Sequence, residues 1–402
     1  MECGALCSLP KSKEALAVVR SDSFDITPLT PGSQCTPLSV AAHTLYEKTR
    51  PDVLVGPGGA LHLAAATYEQ LPDGRSVRVS GGKFVPVAEG QYTVKLEGAR
   101  VCGFRAAFIG AFRDPILIGQ IENFMARVKK YVESRVDFDY DLKLNLYGID
   151  GVMGALEPEK WTIPKEICLC GEIRASSQAQ AVQIASIARL ACVHGPYPQQ
   201  LANAGNFAMP FAPYDMPLGE ISEFNIYHLL HDADPIGLFP ISYHQLVGRG
   251  TFEHVYTEDS TQVSGLAPSP ASESPTVPTN GDAPQWLLRP RLPAGQCYLG
   301  DVASVIRSKN AGPFELTMDV MFDEEDTYNR VKATGALSQD TIKKLYRVTD
   351  DDILVCMFWD QARAFKTTIK RPTPSGSFGE TDVHGSQQHV PLFYLVLPLS
   401  RA

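Results

Sequence analysis

The sequence predicts a mixed α/β fold, with α+β as its variant, in two domains. Three observations lead there. Short runs of alternating apolar and polar residues, bounded by glycine and proline, recur along the whole chain. Segments with apolar residues three and four apart stand between them. A stretch at 259–285, DSTQVSGLAPSPASESPTVPTNGDAPQ, is rich in Pro, Ser, Thr and Gly and nearly empty of large apolar groups. Such a segment cannot offset its ordering entropy by burial, so it reads as a mobile linker between domains at 1–258 and 286–402. Strict β-α-β order is incomplete, so neither domain reads as doubly wound.

The elements follow in order. LHLAAATYEQL, SVRVSGG and QYTVKLEGARVCGFRAAFIGAF are β-rich, with glycine breaks. Asp114-Pro115 opens a helix, with Asp as N-cap and Pro at the first helical position. Leu117, Ile121, Phe124, Met125, Val128 and Val132 then recur at helical spacing. KLNLYGIDGVMG reads as strand, turn, strand. SSQAQAVQIASIARLACVHG is a second long helix, capped by Ser176 or Ser177 and stopped at Gly195. In the last domain LGDVASVIRSKN reads as a helix with Asp301 as N-cap, and FELTMDVMF as a strand. EEDTYNRVKATG and SQDTIKKLYRV are short helices, the second capped by Ser338. DILVCMFW and FKTTIKR are strands, a long polar loop follows, and LFYLVLPL is a closing strand.

Composition narrows the function. The 402 residues are 44% hydrophobic and 20% charged, ordinary for a globular protein. A net charge of -9 without a basic run argues against nucleic acid and against anionic membrane surfaces. The nine cysteines are odd in number and scattered, so they read as reduced thiols. The start, MECGALCSLPKSK, lacks a signal-peptide layout, and no run of about 18 apolar residues occurs. The expectation is a soluble, cytoplasmic protein.

Four constellations carry chemistry. In RSKNAGP, Arg307, Lys309, Asn310, Gly312 and Pro313 read either as a helix stop or as an anion pocket. In HGPYPQQLANAGN, His194 ends a helix ahead of Tyr197, Gln199, Gln200, Asn203 and Asn206. That arrangement suits a helix-capping role or a proton-transfer site. In GEISEFNIYHLLHD, Glu223 shares a face with Tyr227 whether the segment is strand or helix, with His228 nearby. In GETDVHGSQQH, Glu380, Asp382, His384, Gln387, Gln388 and His389 sit on a glycine-containing loop, either as solvated surface or at a ligand. Asp382, His384 and His389 match no metal-ligand spacing, so no metal is assigned. Cys168-Leu169-Cys170 is too tight for a CxxC pair, and GPGG at 56–59 lacks the dinucleotide-fold context and reads as a turn. No GxSxG or P-loop occurs.

The stretches TPLSVAAHTLYEKTRPDVLVGPGGALHL, ATYEQLPDGRSVRVSG, IDGVMGALEP, HGPYP and EFNIYHLL resemble the acyclic terpene utilisation family, especially its fungal members. The tail, GDVASVIRSKNAGPFELTMDVMFD with SGSFGETDVHGSQQHVPL, resembles a small domain of unknown function that accompanies that family. The family pattern places a substantial N-terminal half before an E-C-G-A motif. Here Glu2-Cys3-Gly4-Ala5 stands at the start, so the resemblance implies the C-terminal half plus the small domain.

The expected function is a cofactor-independent acid-base enzyme, a lyase or isomerase of hydratase, dehydratase or cyclase type. Its substrate would be a carboxylic acid or acyl thioester. His194, His228, Glu223 and Tyr197 are the catalytic candidates. Arg307, Lys309, Asn310, Gly312, Asn206, Asp382, His384 and Gln387 are the substrate-binding candidates, and Lys309 and Asn310 are expected to share a cavity with His194 or His228. The alternative is a non-catalytic subunit or ligand-binding module that needs a second protein of the family. A homo-oligomer, or a complex with such a protein, is the expected assembly.

Overall fold

A computed structural model describes residues 14–29, 33–160, 162–201, 204–231, 234–242 and 289–399. The segment 259–285 lies outside the described residues, as do Glu2 to Ala5 and Asn203. The fold is α+β: every strand pairing among the described residues is antiparallel. Residues 1–233 and 293–402 belong to one compact unit, and residues 234–292 to another.

The first unit begins with two small sheets. β1 (Ala15–Val19), β2 (Ser23–Pro28), β5 (Thr67–Gln70) and β6 (Val77–Ser80) form one, in the order β1-β2-β6-β5. β3 (Val53–Gly56), β4 (Gly59–His62) and β7 (Lys83–Pro86) form the other, with GPGG as the β3–β4 turn. Between β2 and β3, Thr36 caps the one-turn helix α1 (Pro37–Ala41).

The main sheet has the order β11-β8-β10-β9. It is built from β8 (Val94–Phe112), β9 (Tyr140–Tyr147), β10 (Ile167–Ala175) and β11 (Met216–Leu230). Asp114 caps the helix after β8 as the sequence indicates, accepting from the amides of Ile116 and Leu117. That helix divides at Gly119 into α2 (Pro115–Ile118) and α3 (Ile121–Glu133). Ser177 caps α4 (Gln178–His194), and Gly195 ends it. Both long helices lie on one sheet face. Phe124, Val128 and Val132 of α3 and Ile184, Ala188 and Cys192 of α4 join Phe108, Phe112, Ile167, Leu169 and Ile173 in one buried core. Each large apolar side chain so buried contributes about 1.5–3 kcal/mol. The second strand expected in IDGVMG is a turn followed by a 3₁₀ segment at Gly154–Leu156. Left-handed glycines at 148 and 154 break the extended run.

The C-terminal sheet has the order β13-β14-β16-β15. Its strands are β13 (Val305–Asn310), β14 (Glu315–Met321), β15 (Ile353–Trp359) and β16 (Ala364–Lys370). α6 (Glu325–Ala333), α7 (Gln339–Tyr346) and α8 (Val390–Phe393) pack on its apolar face. The strands β12 (Cys297–Tyr298) and β17 (Val396–Leu397) pair at its margin. Ser338 caps α7, accepting from Thr341 N.

Two expectations for this part are corrected. LGDVASVIRSKN is not a helix: only Leu299–Asp301 is helical, as a 3₁₀ turn, and β13 follows. Asp301 is the third residue of that turn, its carboxylate accepting from Tyr298 N, and not the N-cap. Val305 and Ile306 are β-branched, and every residue of β13 has a cross-strand partner in β14, which decides for a strand. The closing segment LFYLVLPL holds the end of the helical turn Val390–Phe393, which has Pro391 in its first turn, and then the two-residue β17.

The second unit is small. Its described part, residues 234–242 and 289–292, holds α5 (Pro235–Leu238), where Leu238 N donates to Asp234 O at 3.1 Å.

Candidate functional site

RSKNAGP is not a helix stop. It is the end of β13 and the turn into β14, with Gly312 at a φ of 91° in the region that favours glycine. A strand sends successive side chains to opposite faces, so Arg307 and Lys309 point one way and Asn310 the other. Arg307 Nε donates to Asp319 Oδ2 at 2.9 Å and its guanidinium stacks on Tyr46. Lys309 Nζ lies 3.4 Å from Glu47 Oε1. Beside them the buried Lys366 donates to Leu45 O at 2.6 Å, Thr317 Oγ1 at 2.6 Å and Asp319 Oδ1 at 3.0 Å. This face of the sheet is therefore sewn to residues 42–49.

Asn310 serves the opposite face. Its side-chain amide donates to Val383 O at 2.7 Å and Ser375 Oγ at 3.2 Å, and its oxygen accepts from Arg371. Its backbone N donates to His384 O at 3.2 Å. Arg371 also reaches Glu380, and both side chains are largely but not fully withdrawn from solvent. Asp382 holds the tip of the loop, accepting from Ser386 N at 3.1 Å, Gln387 N at 2.8 Å and Gln388 Nε2 at 3.1 Å. Burial alone would raise the Asp382 carboxyl, but those donors outweigh it and the net shift is downward. His389 Nδ1 lies 3.2 Å from Ser386 O, and burial lowers its pKa.

The loop is anchored on the main sheet as well. Gly379 N donates to Glu172 Oε2 at 3.1 Å, Thr381 Oγ1 to Val152 O at 2.7 Å, and the Arg174 guanidinium lies 5.2 Å above the Phe378 ring. Gly379 has a φ of 77°, and a Cβ there would fall 2.9 Å from Lys143 Cε. Glu172 projects from the face of β10 opposite the helix core, since its neighbours Gly171 and Ile173 face the other way. Its Oε1 is 2.9 Å from Arg105 Nε, off the hydrogen-bond axis. Burial raises the Glu172 carboxyl above its ordinary range; Arg105, the Gly379 amide and Lys143 pull against that without cancelling it. The next residue on the same face, Arg174, lines an open cavity of about 650 Å³ with Arg100, Cys102, Tyr140, Asp141 and Glu223. Glu172 was absent from the sequence candidates. The signal was an acidic residue at the centre of an otherwise alternating strand, ICLCGEIRA.

The other candidates divide. Glu223 pairs with Arg100 at 2.7 Å in that cavity. β11 settles EFNIYHLL as a strand; Tyr227 packs on Phe314 with ring centroids 5.3 Å apart, and its hydroxyl sits against Gly312. His228 is the next residue and exposed. His194 lies across the main sheet, in the helix layer, in a groove of about 490 Å³ that none of Arg307, Lys309, Asn310 and His228 lines. Tyr197 OH donates to Asp114 Oδ2 at 2.6 Å, and burial with that carboxylate pushes the phenol up to about 12. Asn206 Nδ2 donates to Gly195 O at 2.6 Å and its oxygen accepts from Gln200 Nε2 at 2.9 Å. Tyr197 and Asn206 thus brace the loop after α4. Asn310, Gly312, Asp382, His384 and Gln387 come together, and Glu172 joins them through Gly379. Among the described residues no three His, Cys, Asp or Glu side chains converge as metal ligands.

With this geometry in view, the comparison with known families bears on one part of the chain. Residues 299–396 match DUF4387, a domain of unknown function. The matched domain supplies β13, the 310–314 turn and the whole 371–389 loop. The match is consistent with a C-terminal small domain of unknown function. No curated protein and no solved structure matches the chain. No helix among the described residues is long and apolar enough to cross a membrane.

Proposed function

We propose that the chain is a cofactor-independent acid-base enzyme, a lyase or isomerase acting on a carboxylic acid or acyl thioester. The observation that carries this reading is Glu172: a carboxyl raised by burial, on a sheet face, beside two cationic side chains and a loop amide. A carboxyl shifted toward neutrality is suited to taking a proton next to a carbonyl and returning it. Arg105 and Lys143 are donors for the oxygen on which charge then develops. Loss of water and isomerisation begin with that proton transfer, addition of water ends with its reverse, and a cyclisation through the same carbanion can start from it. The resemblance of the first domain to the acyclic terpene utilisation family supports the substrate class. The seven described cysteines are free thiols, which supports a cytoplasmic location.

Solvent deuterium exchange at the α-carbon, followed by NMR over a panel of unsaturated and 3-hydroxy carboxylates and thioesters, tests the reading without knowledge of the product. Glu172→Gln is expected to slow exchange by about 10²- to 10⁴-fold in a folded protein. Equal exchange in the variant defeats it.

The second reading is a non-catalytic subunit that works with another protein of the family. One observation favours it. The β3-β4-β7 sheet exposes apolar side chains on both faces, Leu54 and Phe84 on one and Val55 and Val85 on the other. A three-stranded sheet of that kind ordinarily packs against something. Exchange that appears only when a second protein is added would favour this reading.

A further inference from the structure

The groove between α3 and α4 is unused by the Glu172 site and lies on the other side of the main sheet. Phe124 and Val128 of α3 and Ala191 of α4 form its floor; Arg127, Tyr131, Leu190, His194 and Pro196 form its rim. Its volume of about 490 Å³ falls in the range of small-molecule sites. Tyr131 and Leu190 remain more than two-fifths exposed, at 42% and 44%, so apolar surface is left at the rim for a ligand to cover. The charged side chain of the lining is Arg127, with the His194 imidazole beside it as a hydrogen-bonding group; no carboxylate lines it. Arg127 rests against the Phe124 ring at 5.6 Å. Lys130, one turn further along α3, adds to the positive potential. The C-terminal dipole of α4 opposes an anion here, but its half charge is smaller than the full charge of Arg127.

We propose that this groove binds a free amphiphilic carboxylate of medium chain length. The hydrocarbon lies along Phe124, Val128, Ala191 and Leu190, and the carboxylate meets Arg127 and His194. A neutral or cationic amphiphile would lose the charge match, and a short carboxylate would lose the floor. The site stands apart from the proton-transfer chemistry proposed for Glu172 and does not depend on it.

The test is calorimetric titration of the full chain with hexanoate, octanoate and decanoate, each below its micelle concentration. Affinity is expected to rise about fourfold per added methylene. Arg127→Gln is expected to weaken octanoate binding by about tenfold or more, and Leu190→Asp to remove the chain-length dependence. Glu172→Gln should bind octanoate as the parent protein does. Circular dichroism of each variant separates a lost site from a lost fold, and Arg127, being exposed, is a replaceable surface residue. Affinity independent of chain length, equal affinity for octylamine, or unchanged affinity in Arg127→Gln overturns the proposal. Binding seen only with vesicles of anionic lipid, or a groove occluded by self-association at the titration concentration, overturns it equally.

Discussion

The ammonium of Lys366 donates a 2.6 Å hydrogen bond to the carbonyl of Leu45, joining positions 321 residues apart in the chain. Lys366 is fully buried, its charge held by Asp319 and its remaining donors by Thr317 and Leu45. Burial lowers its pKa while Asp319 acts in the opposite sense. Lys366→Met removes one member of a buried charge cluster and strands part of Asp319. The expected loss is about 3–5 kcal/mol, read from the urea midpoint at unchanged slope. A change below about 1 kcal/mol would show that the cluster adds little to the union of the sheet with residues 42–49.

His389 gives stability a dependence on pH. Its folded pKa is lowered by burial, so the unfolded chain takes up the proton first. The contribution is complete above the ordinary value of 6.5 and is lost as pH falls through it toward the folded value. The slope approaches about 1.4 kcal/mol per pH unit for one proton. His389→Gln should flatten the unfolding free energy between pH 7 and 5; an unchanged slope would assign the dependence to other groups.

Asp382 organises the loop that completes the candidate site. Its folded pKa is lowered, so its contribution is present above the ordinary carboxylate value and disappears as pH falls through the folded one. Asp382→Asn keeps the size and removes the charge that three donors share. Faster hydrogen exchange at the amides of Ser386 and Gln387 is expected, with a loss of about 1–3 kcal/mol. Protection equal to the parent protein at both amides would rule out this bracing role.

Glu172 runs the other way. A carboxyl with a raised folded pKa holds a proton that the unfolded chain has already released. Its favourable contribution is full below the ordinary value of 4.5 and is lost as pH rises through the raised one. Relative to Glu172→Gln, the parent protein should therefore lose stability between acid and neutral pH while being the more active of the two. Parallel stability curves across that range would show that Glu172 is not perturbed.

Elements with strong local signals were legible in the sequence. Asp114 with Pro115, Ser177 with Gly195, and Ser338 each marked a helix start or stop through hydrogen bonds made within a few residues. VIRSKN was misread because Arg307, Lys309, Gly312 and Pro313 also make a good helix terminus. What decided for a strand was pairing across the turn with Asp319, Met318 and Thr317, partners beyond the few residues from which a helix terminus is read. Glu172 escaped for the same reason: its partner Gly379 is 207 residues away. Asn310 and the 379–389 loop could be nominated separately, since each carries its own glycines and polar side chains. Their union depends on the side-chain amide and backbone N of Asn310 meeting the carbonyls of Val383 and His384.

The alternation of β13 makes one short strand answer to two neighbours, with Arg307 and Lys309 turned toward residues 42–49 and Ser308 and Asn310 toward the loop. A single residue inserted within it would trade those two sets of side chains. The cations would then face a loop that needs an amide, and the amide would face Asp319 and Glu47. Substitutions along β13 can be absorbed one at a time, whereas its length admits no change that leaves either neighbour undisturbed.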